Sequence, residues 1–168
     1  MKEHQQFFSL KNSTTGKIEK FITVANIEAA DNGETILKGN QKVLYARLSD
    51  AKFFWENDIR LIQKDGLDAW LGKLVNVTFH NKLGSQADKV TRVSALTKIL
   101  AKRLLCDIED AVKGANICKS DLASEMVYEF PELQGVMGRY YALSAGYSQD
   151  VAKVCLLYTS PSPRDHEQ

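Results

Sequence analysis

The sequence predicts a mostly helical α+β fold in which an N-terminal β-hairpin precedes a helical region. Three observations lead there. Two apolar, β-branched runs flank an Asn-Ser-Thr-Thr-Gly stretch at 12–16, which is turn chemistry. From Asn40 onward the apolar residues recur at steps of three and four instead of two. Helix punctuation then appears at Ser85 and at Pro131.

The hairpin is expected to pair residues 4–10 with 17–27, and the Asp31-Asn32-Gly33 stretch that follows reads as a loop within 30–34. Leu44, Leu48, Ala51, Trp55, Ile59 and Ile62 then share one face of a long helix, with Lys52 and Glu56 placed to pair on another. A short helix follows over 65–74. At Ser85 a hydroxyl can cap the next helix, with Asp88 at the third position as a carboxylate variant of the capping box. Val90, Val93, Leu96, Leu100 and Leu104 form its expected buried stripe. A further helix is expected from 108 to 130, carrying Ile108, Ala111, Ala115, Cys118, Leu122 and Met126 on one face. Gly114 weakens it and Pro131 stops it. The chain therefore divides into a hairpin segment (1–37), a helical region (38–152) and a tail (153–168), in which Ser160-Pro161-Ser162-Pro163 forbids regular helix.

Composition narrows the class. With 168 residues, 44% hydrophobic and 26% charged, the chain has the length and make-up of an ordinary globular domain. No window approaches the roughly 18 uninterrupted apolar residues of a membrane span, and the start MKEHQQFF lacks the apolar region of a signal peptide, so a cytoplasmic location is expected. Cys106, Cys118 and Cys155 are odd in number and widely spaced, which suggests neither a disulfide framework nor a zinc site.

The net charge of +1 hides a division along the chain. Residues 38–103 hold 13 Lys or Arg against 6 Asp or Glu, a balance of +7, whereas residues 104–150 hold 3 against 8, a balance of −5. A basic segment suits a phosphate-rich partner, because neutralising phosphates releases counterions. Within it, the residues from His80 to Ser85 end where a helix begins. Free backbone amides, the helix dipole and Lys82, Lys89 and Arg92 can there converge on one phosphate, which makes these three the candidate RNA-binding residues. Their alternative role is pairing with the acidic half, through Glu125 or Glu129.

Candidate chemistry elsewhere is sparse. No serine sits in a Gly-x-Ser-x-Gly elbow, no nucleophile–base–orienter set can be assembled, and no glycine-rich nucleotide loop occurs, so no catalytic and no cofactor-binding residue is assigned. Asp121, Glu125 and Glu129 fall along the expected helix and read as a solvated face; no metal site is assigned. In the segment QGVMGRYY, Gly135 and Gly138 each remove a Cβ, as a tight turn or a close backbone approach requires. Gln134, Arg139, Tyr140 and Tyr141 beside them offer charge and aromatic surface, and are the candidate interface residues.

Four blocks of the chain carry a resemblance. KSDLASEMVYEFPELQGVMGRYYA at 119–142, MKEHQQFFSL at 1–10, FITVANI with GNQKVLYARLSDAKFFWENDIR within 21–60, and VTFHNKLGSQADKVTRV at 77–93 together resemble the beta subunit of the bacterial-type heterotetrameric glycyl-tRNA synthetases, as an internal fragment. The resemblance runs to about residue 152; beyond it the tail looks like translated adapter sequence from the end of an environmental gene fragment.

The resemblance implies an α2β2 ligase. Its alpha subunit would bind ATP, magnesium and glycine, and its beta subunit would supply much of the tRNA recognition. The implied partners are the alpha subunit and tRNA(Gly), with no membrane and no DNA, and no cofactor is expected in this chain. The helical region of that family resembles the HD phosphohydrolases, whose active members hold a divalent metal through a His-Asp pair. Here Ser120-Asp121, with Lys119 alongside, stands at the approximate place of that pair, so the expected domain is a degenerate HD-like one that holds metal poorly. A metal-dependent HD-type phosphohydrolase and a helical interaction module are the competing classes.

Overall fold

The structure, a computed structural model, describes residues 7–159. The first residues of the expected hairpin and the Ser-Pro-Ser-Pro stretch of the tail lie outside this range. Two compact units divide the chain, Met1–Asp50 and Ala51–Gln168.

In the first unit, β1 (Phe8–Lys11) and β2 (Ile18–Ile22) form an antiparallel pair. Asn12 makes the turn: its Oδ1 accepts from the amides of Thr14 at 2.8 Å and Thr15 at 3.2 Å, and Gly16 takes a positive φ of 66°. The long helix α1 (Glu34–Asp65) starts six residues before the change of period at Asn40. The reason is a cap that reads as a loop: the Asp31 carboxylate accepts from Gly33 N at 3.0 Å and Thr35 N at 2.9 Å. Among the described residues up to Asp50, none is buried.

The second unit holds the core. Ala51, Trp55, Ile59 and Ile62 of α1 pack on it as their spacing predicts. After Gly66 (φ 76°) come α2 (Asp68–Lys73) and a 3-10 turn at Leu74–Asn76. A small ladder, β3 (Thr78–His80) with β4 (Gly84–Ser85), has no counterpart in the sequence reading. It ends on α3 (Gln86–Leu104), where the expected capping box is present in both directions between Ser85 and Asp88. The apolar stripe of α3 departs from expectation: Val90 is buried, but Leu96, Leu100 and Leu104 are 56%, 47% and 73% exposed.

The helix expected over 108–130 is three pieces: α4 (Ile108–Ile117), a 3-10 turn at Ser120–Ala123 and the short α5 (Glu125–Glu129). Ser120 turns its hydroxyl back to the Ile117 carbonyl at 2.8 Å, and Ser124 caps α5 by accepting from Val127 N at 3.1 Å. Gly114 sits where α4 meets α7 (Gln149–Thr159): a Cβ there would lie 2.8 Å from Val154 Cγ2. Between them Pro131 opens a 3-10 turn and α6 runs over Val136–Ser144. The tail boundary at 153 falls inside α7, whose Cys155 is fully buried. Met126, Val127, Met137, Ala142 and Val151 complete the core around Trp70 and Tyr141.

Candidate functional site

The three carboxylates read as one helical face are placed differently by the interruption of the helix. Glu125 and Glu129 are exposed, whereas Asp121 on the 3-10 turn is fully buried. Its Oδ2 accepts from the amides of Gly135 at 2.5 Å and Gly138 at 3.1 Å. The glycine spacing follows from this contact. Gly135 takes a φ of 79°, and a Cβ on Gly138 would stand 3.0 Å from Asp121 Oδ2 and 3.1 Å from Cys155 Cβ. Burial pushes the Asp121 carboxyl above the usual carboxylate range, with the two amides and Lys119 pulling the other way. Its second oxygen, Oδ1, is buried without a hydrogen-bond partner.

A second buried carboxylate was not singled out by the sequence. Asp58 of α1 is fully buried and accepts three bonds, from Glu125 N and Met126 N at 3.1 Å each and from the Tyr141 hydroxyl at 2.6 Å. It sits at the start of α5 and takes up amides that a short helix would otherwise leave unpaired. Its sequence signal was an aspartate among the apolar positions Trp55, Ile59 and Ile62.

Neither carboxylate belongs to a metal-ligand set. Among the described residues no group of three or more His, Cys, Asp or Glu side chains could hold a metal ion. Asp121 instead neighbours Lys119, which is nearly buried and whose pKa burial lowers, and the buried thiols Cys118 and Cys155.

The candidate phosphate corner keeps its cations but not its free amides. At the start of α3, Gln86 N donates to Val77 O at 2.8 Å, Asp88 N to Ser85 Oγ at 3.2 Å, and Ser85 N to the Asp88 carboxylate at 2.8 Å. The Asp88 carboxylate thus takes the place at the helix end that a bound anion would use. Lys82 and Arg92 are exposed, and the Lys89 ammonium lies 4.0 Å from the centre of the Phe79 ring. None of the three forms a salt bridge among the described residues. Glu125, their suggested partner, accepts instead from Asn57 Nδ2 at 2.7 Å. The structure adds Lys119, whose ammonium shares the Tyr158 ring with that of Lys89, at 4.6 and 5.6 Å from its centre.

The four candidate interface residues divide. Tyr140 is 51% exposed and meets the edge of Trp55. Gln134 and Arg139 are half-buried, with Arg139 Nε lacking a hydrogen-bond partner. Tyr141 lies in the core, stacked on Trp55 at 5.5 Å and edge-on to Trp70 at 5.1 Å. The stretch that looked most like a surface in sequence is half core, and its Gly135 and Gly138 amides bond the buried Asp121.

Comparison with known proteins gives a consistent result. A family model described as "Glycyl-tRNA synthetase beta subunit" matches residues 1–167. A glycine–tRNA ligase beta subunit of Ruegeria sp. (strain TM1040) is 62% identical over 162 residues, covering 96% of this chain and 24% of that relative. Similar proteins of the same name come from Paracoccus denitrificans, 58% identical over 96% of this chain and 23% of that relative, and from Neisseria gonorrhoeae, 40% identical with the same coverages. The chain spans about a quarter of the length of these curated relatives.

Proposed function

This chain belongs to the glycyl-tRNA synthetase beta-subunit family, and from that premise we propose that it serves as a segment of a glycine–tRNA ligase, supporting tRNA recognition and subunit assembly in ATP-dependent glycyl-tRNA formation in the cytoplasm. Its partners on this reading are the alpha subunit and tRNA(Gly). ATP and magnesium act at the alpha subunit.

The observation that supports an RNA role over phosphohydrolase chemistry is how the carboxylates are used. Asp58 and Asp121 both accept backbone amides in the interior, so these two carboxylates are structural. The surface around β3, β4 and the start of α3 includes the cations Lys82, Arg92 and the ring-supported Lys89. With the Ser85 and Asp88 amides held in the capping box and the Gln86 amide on Val77 O, these side chains themselves make the phosphate contacts. Gln134, Arg139 and Tyr140 are the surface candidates for subunit assembly.

The test is Lys89→Ala with Arg92→Ala in a full-length beta subunit assembled with alpha. Two lost phosphate contacts should reduce the log–log salt slope of tRNA binding by about 1 to 2, with discrimination between cognate and non-cognate tRNA changing less than affinity. An unchanged slope in a correctly assembled enzyme would assign these charges to the scaffold.

A further inference from the structure

We propose that β1 and β2 are two strands of a larger sheet, completed by at least one strand from the part of the beta-subunit chain that lies outside this segment. The inference rests on the family assignment above. It starts from a deficit. Of the described residues up to Asp50 none is buried, so this unit removes too little apolar surface from water to offset the entropy of ordering its chain. An isolated two-stranded hairpin is marginal in water for the same reason.

The hairpin also carries apolar side chains on both faces. Phe8 pairs with Ile22, and Leu10 follows on the same side; these three are 44%, 49% and 42% exposed. On the other side Phe21 meets the ring of Phe7 edge-on at 5.5 Å. A hairpin that ends a sheet in solvent keeps one face polar, whereas a pair inside a covered sheet is apolar on both. Among the described residues each strand has a single neighbour, so the outer edges of β1 and β2 present unpaired amides and carbonyls. Strand addition is the interaction that satisfies such an edge. The chain spans 24% of the Ruegeria relative, so a beta subunit of that length has ample chain to supply the strand.

Residue-resolved hydrogen exchange tests this on the full-length Ruegeria beta subunit carrying residues 7–50 of this chain in place of its own. In a two-stranded ribbon only alternate amides point at a partner, whereas a strand paired on both sides has consecutive amides bonded. The expected result, in the beta subunit without alpha, is consecutive amides along β1 or β2 exchanging at least about 100-fold slower than free peptide. Alternate protection would overturn the proposal. So would consecutive protection that appears only once alpha is added, because the strand would then be alpha's. Aminoacylation by the assembled chimera is read separately: its loss beside intact consecutive protection counts against the functional reading and not against the sheet. If the chimera fails to fold, the same measurement on the unmodified Ruegeria subunit at the aligned residues gives the same two readings.

Discussion

The Tyr141 hydroxyl donates a 2.6 Å hydrogen bond to Asp58 Oδ2, joining α6 to α1 across 83 positions of sequence. Both residues are fully buried. The same carboxylate holds the first two amides of α5, so one side chain ties three elements of the second unit together. Burial and this bond both push the tyrosine pKa upward, which keeps the hydroxyl a donor at all physiological pH values.

Replacing Asp58 with alanine strands two amides and a hydroxyl in the interior. The expected loss in urea denaturation is at least about 3 kcal/mol, against about 2 kcal/mol for Tyr141→Phe, which takes one donor away from a buried carboxyl group. The double variant should lose less than the sum, because both changes delete the same bond. Strict additivity would show that the pair is not energetically coupled.

Glycine substitutions should separate by location. Gly138→Ala drives a methyl group against Asp121 and Cys155 and should cost about 1 to 3 kcal/mol. Gly39→Ala, in α1 with open space around it, should be neutral or stabilising by up to about 1 kcal/mol through helix propensity. Equal effects from the two, measured by thermal denaturation, would contradict the close approach of α6 to Asp121.

Asp121 should give the stability a distinctive pH dependence. Burial raises its pKa, so the native state holds the proton more tightly than the unfolded chain. Its contribution is then fully present below the ordinary carboxylate range and is lost as pH rises through the raised native value. Asp121→Asn cannot titrate, so its stability relative to the parent should climb between acid and neutral pH. Parallel stability curves over that interval would remove the anomalous titration.

Thiol reactivity offers a simple check of the core. Cys106 is exposed, while Cys118 and Cys155 are buried; burial raises the pKa of Cys118 and pushes that of Cys155 up to about 12. At pH 8 a soluble disulfide reagent should modify one thiol at once and the other two only on unfolding. Rapid reaction of all three in the native protein would mean that α7 does not pack as described.

Residue order alone was enough to read what is local. The hairpin turn at Asn12, the Ser85–Asp88 capping box, the stop at Pro131 and the helical period through Trp55 and Ile62 depend on groups within a few residues of one another, and each was legible. Family membership was legible too, because it rests on the order of several such blocks. The cap at Asp31 was equally local, but an Asp-Asn-Gly stretch reads as a turn as readily as a helix start. The rest depends on contacts between residues far apart in the chain. The helix expected over 108–130 ends at Ile117 partly because Asp58, 67 positions before Glu125 in the chain, offers a carboxylate to the amides of a new helix. Asp121 is buried because the Gly135 and Gly138 amides replace water around it, and Leu96, Leu100 and Leu104 repeat like a core stripe yet stand exposed. Periodicity records which residues share a face; only the folded chain settles what that face meets.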